Sequence, residues 1–95
     1  MLINKGITAG EVVSIKLISG EEIIAKLEED TTEQVKLHRP LSVSITPSGL
    51  GMMPFMFLSA SDTISVKHAQ IIAIAVAKKE AADQYLQGTT GIKIL

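Results

Sequence analysis

The chain contains no cysteine and no tryptophan, and aromatic residues make up only 3% of its 95 positions. The lack of cysteine excludes a disulfide scaffold, a thiol nucleophile and a cysteine-based zinc site. Neither charge sign is in excess, because 9 basic and 10 acidic residues give a formal net charge of −1. This balance predicts no global attraction to nucleic acid or membrane, so any such binding requires a local basic cluster.

Long hydrophobic runs are also missing. Residues 1–10 contain no apolar core of the kind that a signal peptide has, and no run approaches the ~18 residues of a membrane span. We therefore expect no contact with membrane and a cytoplasmic location.

Apolar residues nevertheless account for 46% of the chain, which is high for one small domain. Surface-to-volume scaling implies that a single copy cannot bury all of this apolar area. A partner is expected to cover part of it, and a second copy of the chain is the simplest partner.

Alternating apolar and polar residues predict strands in the first half of the chain. Ser19 and Gly20 predict a tight turn, whereas residues 28–33 predict a polar loop. Pro40 has no N–H to donate to a ladder, so it marks a bulge, a bend or an edge. The apolar members of the alternation are Val13, Ile15, Leu17, Ile23, Ala25, Leu27, Val35, Leu37, Leu41, Val43 and Ile45.

The second half is less regular. Residues 46–54 are rich in glycine and proline and predict a long loop, followed by a short strand at 55–58. Residues 59–62 predict a bulge or turn, and 63–66 a continuation of that strand. Residues 71–77 carry no charge, which predicts a fifth strand buried on both faces.

Residues 78–87 have helical spacing, because Ala81, Ala82, Tyr85 and Leu86 fall on one face. Gly88 is expected just past the end of this helix. The helix caps the open end of the barrel or covers one face of an assembly, and the tail 88–95 is either a sixth strand or a disordered end.

The predicted fold is all-β with one short C-terminal helix. Five short antiparallel strands bend strongly into a small open barrel of the SH3-like kind. The single domain comprises an arm (1–10), in which Leu2, Ile3 and Ile7 are candidates for docking, a barrel (11–77), a helix (78–87) and a tail (88–95). Pairing the edge made by 55–66 with the 71–77 edge of another copy is head-to-tail, which predicts a ring.

Two stretches resemble the motifs of one family. VSIKLISG at 13–20, followed by AKLE at 25–28, resembles the first motif of Sm-like proteins, with Ala25 where that motif has glycine. VKHAQIIAI at 66–74 resembles their second motif, and its Lys67, His68 and Ala69 are most similar to the bacterial Sm-like protein Hfq. The whole chain is similar to small Sm-like proteins attributed to phages of marine cyanobacteria.

The resemblance implies a ring of five to seven identical Sm-like barrels that binds RNA or single-stranded DNA at its pore. In such a ring Lys67 and His68 would contact phosphate or base edges, and Gln70 would hydrogen-bond in the same turn. Glu33 and Gln34 occupy the neighbouring loop, where the family has a base-contacting residue. Without the resemblance, Lys67 and His68 form only a solvated turn.

Other polar clusters allow two interpretations each. Lys36, His38 and Arg39 form either a lateral phosphate contact or a solvated strand face. The acidic residues of 28–33 are either paired carboxylates for acid–base chemistry or a solvated loop. Residues 50–58, with their methionines, form either a partner surface or a core or subunit contact.

The chain contains no catalytic constellation and no histidine spacing that suits a metal, so we expect no enzyme, no metal and no cofactor. Two hypotheses remain. The first is a ring that binds nucleic acid, without catalysis, in RNA or DNA processing. The alternative is a structural ring that binds other proteins, in a virus particle or its assembly.

Overall fold

The computed structural model describes residues 7–89, which form one antiparallel sheet and one helix. The strands are β1 (Val12–Leu17), β2 (Glu22–Asp30), β3 (Gln34–Thr46), β4 (Gly49–Pro54), β5 (Thr63–Lys67) and β6 (Ile71–Val76). A 3₁₀ turn (His68–Gln70) joins β5 to β6, and the helix α1 is Lys79–Thr89. The order across the sheet is β4-β3-β2-β1-β6, and β5 pairs with the first half of β3. The sheet is bent and not closed, so the predicted all-β fold with a short C-terminal helix is confirmed.

The inner face of the sheet holds the main core. The alternation predicted for β1, β2 and the first half of β3 is confirmed, because every apolar member there is buried. Each buried valine, leucine or isoleucine contributes roughly 1.5–3 kcal/mol through removal from water. Ile7 packs against the same core, whereas Leu2 and Ile3 lie outside the described residues. The core residues are Val13, Ile15, Leu17, Ile23, Ala25, Leu27, Val35, Leu37, Val66 and Ile71.

A bulge divides β3 into two halves. Ile24 lies opposite Leu41 and Lys26 opposite His38, so β3 carries one extra residue between these pairs. The extra residue lies at Arg39 and Pro40, where Arg39 has a positive φ of 47°. Of the bulge, the bend and the edge that Pro40 allowed, the structure shows the bulge.

The bulge changes which face of the sheet the following residues occupy. Side chains of a strand alternate with a period of two, so one inserted residue exchanges the two faces. Leu41 and Val43 consequently lie on the outer face, although Leu37 lies on the inner one. The outer face thereby gains apolar side chains that need a cover.

Helix α1 covers the first part of that outer face. Tyr85 is 1% exposed and packs with Val12 and Ile24, and Ala81 and Ala82 pack against the same cluster. Within one copy α1 therefore packs on the outer face of the sheet, and the predicted cover of one face of an assembly stays a prediction.

The Tyr85 hydroxyl also hydrogen-bonds backbone groups of β2 and β3 next to the bulge. It accepts a hydrogen bond from the backbone N–H of Lys26 at 3.1 Å and donates one to the carbonyl of His38. These two residues face each other across β2 and β3. Burial raises the pKa of the Tyr85 phenol above its usual value, and the hydrogen bond from Lys26 opposes that rise.

Residues 49–54 form strand β4, whereas 55–58 do not form a strand, so these two predictions were wrong. Pro47 and Ser48 turn the chain, and Gly49 follows with a φ of 126°. Proline after the first turn residue and glycine at the fourth position favour a tight turn. This turn allows 49–54 to pair directly with 41–46.

Two further boundaries differ from the prediction. β2 continues to Asp30 because Glu29 pairs with Lys36 across the ladder, which shortens the predicted loop 28–33 to 31–33. Gly88 lies inside α1, which ends at Thr89 instead of Gln87. Arg39 donates to the Thr89 carbonyl at 2.6 Å and so satisfies the end of the helix. The remainder of the predicted tail, 90–95, lies outside the described residues.

Strand β6 was predicted to be buried on both faces, and this was wrong for a single copy. Ile72 is 58% exposed and Val76 is 51% exposed. β6 pairs with β1 along one edge, and within residues 7–89 no strand pairs with its other edge.

Replacing Tyr85 with phenylalanine tests the role of the hydroxyl. The change leaves the Lys26 N–H and the His38 carbonyl without a partner, and we expect a loss of about 1–3 kcal/mol in the free energy of unfolding. Urea unfolding measures it, with the exposed-site variant Gln87→Ala as a control that changes stability by less than about 0.5 kcal/mol. An unchanged midpoint in Tyr85→Phe would contradict the bridging role.

Tyr85→Phe should also change how the free energy of unfolding depends on pH. Because the folded chain raises the pKa of Tyr85 above its usual 10.0, this group stabilises the fold below that pH and the contribution is lost at higher pH. We expect the stability of the wild-type chain to fall more steeply above about pH 10 than that of Tyr85→Phe. Parallel pH profiles would contradict it.

Candidate functional site

Three loops meet at one end of the sheet. The N–H of His68, in the 3₁₀ turn, donates to the carbonyl of Glu33 at 2.9 Å. On the other side, the N–H of Ile18 donates to the carbonyl of Gln70, also at 2.9 Å. The 3₁₀ turn is thus held between the β2–β3 loop and the β1–β2 turn.

This arrangement brings the sequence-predicted residues together. Lys67 lies directly opposite Gln34 in the pairing of β5 with β3. Glu33 precedes Gln34 and holds the backbone of His68, and Gln70 ends the turn. The five residues proposed from the resemblance therefore form one contiguous cluster, hereafter the turn site.

His68 has a different surrounding from its neighbours. Its side chain is only 6% exposed, and its Nε2 lies 2.8 Å from Asp30 Oδ1 and 2.9 Å from the Thr31 carbonyl. Both of these oxygens are acceptors, so Nε2 carries a proton. The imidazole therefore fastens the 3₁₀ turn to the end of β2, while its buried Nδ1 has no partner within residues 7–89.

Sequence reasoning missed Asp30 and Thr31 as part of the turn site. They lie 38 and 37 positions from His68, and no local pattern links them to it. Only the pairing of β5 with β3 brings the two segments together.

Lys67 is the residue of the turn site whose positive charge is exposed to solvent. Its side chain and that of Gln70 are exposed. Among residues 7–89, the salt bridges involve other cations and none involves Lys67. The exposed carboxylate of Glu33 lies in the same cluster and partly offsets this charge.

The second predicted basic group, on β3, has acidic partners. The three contacts are Lys36 Nζ to Glu29 Oε1 at 3.4 Å, His38 Nδ1 to Glu28 Oε2 at 3.2 Å, and Arg39 to Asp62 Oδ2 at 3.3 Å. Exposed pairs of this kind add little stability, ~0–1 kcal/mol each. They nevertheless place a carboxylate beside each of the three side chains, which weakens the attraction of this face for phosphate. Two of the partners, Glu28 and Glu29, lie on β2, and Asp62 lies between β4 and β5.

The two free edges of the sheet are apolar. Leu58 is 97% exposed and Phe57 is 72% exposed, in the segment between β4 and β5. At the opposite edge, β6 exposes Ile72 and Val76. Unpaired edges with large apolar side chains favour pairing with another chain.

The described part of the chain contains no group of three or more side chains that suits a metal ion. Over the same residues, no helix has the length and apolar character needed to cross a membrane. No protein-family model matches the chain, and no curated protein matches its sequence significantly. The resemblance to Sm-like proteins therefore stays a prediction that rests on the two motifs.

Replacing His68 tests its role as the fastener of the turn. In His68→Ala, Asp30 and the Thr31 carbonyl lose their donor, and we expect a loss of about 1–3 kcal/mol in stability. Backbone N–H groups at positions 31 and 68 should exchange faster with solvent. The matched variant His68→Gln retains an N–H at similar reach and should recover most of both effects. Unchanged stability and exchange in His68→Ala would contradict the role.

Proposed function

We propose that the chain forms a closed ring of five to seven copies in which the turn sites surround a common opening and bind RNA or single-stranded DNA. The observation that carries the proposal is Lys67, an exposed lysine with no salt bridge within residues 7–89, on a turn held by the buried His68. The proposed role is in RNA or DNA processing, without catalysis.

The sheet edges support the ring. β6 has a free edge with exposed Ile72 and Val76, and on the other side of the sheet β5 pairs only with β3 among residues 7–89, which leaves the edge made by 55–66 free. These two edges differ from each other, so pairing them is head-to-tail, and such contacts close into a ring when the rotation permits.

Symmetry then supplies the charge that the single chain lacks. A ring of five to seven copies places one Lys67 per copy around one opening, which concentrates positive potential although the net charge of each chain is −1. Phosphate contacts of this kind supply most sequence-independent affinity. Gln34 and Gln70 offer amide donors and acceptors for base edges.

The composition of the loop limits base selectivity. Residues 31–34 contain no aromatic side chain, and stacking is worth ~1–3 kcal/mol per base where it occurs. Binding is therefore expected to depend mainly on phosphate and to vary strongly with salt.

The binding prediction is tested with Lys67→Ala. Fluorescence anisotropy on A-rich and U-rich oligonucleotides and their DNA equivalents, at low salt, should give dissociation constants below about 100 μM. We expect Lys67→Ala to weaken binding by about tenfold or more and to flatten its salt dependence. The control Lys79→Ala removes the same charge from α1 and should change binding less than twofold, or about 0.4 kcal/mol. Absence of binding by the wild-type chain, or equal effects of the two variants, would overturn the proposal.

The ring has its own measurement. Native mass spectrometry of the purified chain should show one dominant closed stoichiometry of five to seven copies. A monomer that persists at tens of micromolar would contradict it, because the exposed edges would then have no partner.

A scaffolding ring is the second candidate function, and the exposed Phe57 and Leu58 favour it. Such a ring would bind other proteins, in a virus particle or its assembly. It predicts that co-purified proteins resist nuclease treatment, survive Lys67→Ala and are lost in Leu58→Asp. Loss on nuclease treatment would favour the nucleic-acid ring instead.

A further inference from the structure

An apolar groove remains open beside helix α1. It has a volume of about 610 Å³ and lies on the outer face of the sheet, between the first turn of α1 and the β3–β4 hairpin. Ile45, in its wall, is 81% exposed. The apolar side chains of the groove are Ile24, Val43, Ile45, Leu50, Met52 and Val76. Its size falls within the ~300–1,000 Å³ of pockets that bury a ligand or an inserted side chain.

The same chain presents a segment that suits such a groove. Residues 55–58 (FMFL) connect β4 toward β5 and expose Phe57 by 72% and Leu58 by 97%. From position 49 to position 60 the sequence has no charged residue. The charged side chains of the groove, Glu22, Lys78 and Glu80, are exposed, so they can stay in water while the apolar floor is covered.

Edge pairing brings the two features of neighbouring copies together. In an antiparallel pairing of β5 with β6 of the next copy, Ile71 lies near Lys67, and Val76 lies near Thr63. Residues 59–62 join Thr63 to the 55–58 segment, so in this pairing that segment is tethered within four residues of the neighbour's Val76. Val76, Ala77 and Lys78 belong to the wall of the groove.

The segment also reaches the side of the sheet that carries the groove. Phe55 packs against the inner core, whereas Met56 lines a hollow of about 250 Å³ together with Gly88 and Thr89 of α1, so the segment passes from the inner core to the side that carries α1. The groove opens on the outer face as well. A sheet that continues from copy to copy in the proposed ring keeps the outer faces on one side.

We propose that the 55–58 segment of one copy inserts Phe57 and Leu58 into the α1 groove of the neighbouring copy. This insertion rests on the proposed ring and names the contact that stabilises it. It covers the apolar surface left between α1 and the β3–β4 hairpin, and it removes Leu58 from water.

Introduced cysteines test the insertion directly, because the chain contains none. Two single variants, Leu58→Cys and Ile45→Cys, are co-expressed with different affinity tags and oxidised briefly. We expect disulfide-linked dimers that carry both tags. Each variant has one cysteine, so a 58–45 disulfide can form only between a Leu58→Cys copy and an Ile45→Cys copy. The control pairs Leu58→Cys with Ser19→Cys, whose exposed turn lies beside the opposite end of β6, and should give few such dimers.

The cross-linking result, read together with native mass spectrometry, tests the insertion independently of ring formation. Rings by native mass spectrometry with a preferential 58–45 link support the insertion. Rings in which the 58–45 and 58–19 pairs link equally, or not at all, overturn the insertion and leave the ring intact. A chain that stays monomeric overturns both.

A charge substitution gives an independent measure. Leu58 is 97% exposed in the single copy, so Leu58→Asp leaves the fold of the subunit unchanged. We expect it to raise the concentration needed for assembly by about tenfold or more, since an apolar contact is replaced by a buried charge. Ser19→Asp, which adds the same charge elsewhere, should assemble as the wild type does. Equal assembly of Leu58→Asp and wild type would overturn the insertion.

Discussion

The bulge at Arg39 and Pro40 is the constraint on which the rest of the structure depends. One extra residue exchanges the faces of β3, so that Leu37 fills the inner core while Leu41 lies on the outer face. Without this exchange Leu41 and Val43 would leave the outer face, and α1 would cover only the apolar side chains of β1 and β2, Val12 and Ile24. The helix in turn supplies the Tyr85 hydroxyl that satisfies the backbone where the bulge separates the strands.

The inner core could be predicted from the sequence, because its strands alternate strictly and bury their apolar face within the same copy. β4 could not be predicted from composition, since its glycines and its proline are typical of a loop. The informative signal is the tight turn around Pro47 and Gly49, which predicts a hairpin. The uncharged sequence of β6 indicates that something covers it. It does not distinguish cover by the same chain from cover by a partner, which is why Ile72 and Val76 proved exposed.

The turn site was predicted as a group through the resemblance, and periodicity contributed little to it. The sequence could not show that His68 is buried while Lys67 and Gln70 are exposed. The inward orientation of His68 depends on Asp30, whose position is defined by strand pairing between distant segments. Lys36 and His38 of β3 were visible in the sequence, but their carboxylate partners on β2 become neighbours only through the register of the ladder.

Assembly and the turn site are linked by the path of the chain. The 3₁₀ turn joins β5 directly to β6, and each of these strands has an edge that no strand within residues 7–89 occupies. A partner that pairs with either edge therefore fixes the direction in which Lys67 points relative to the Lys67 of the next copy. One exposed ammonium group in water attracts phosphate weakly, whereas several around one opening act on the same strand. Binding of nucleic acid at this turn is therefore expected to depend on the edges as much as on the lysine.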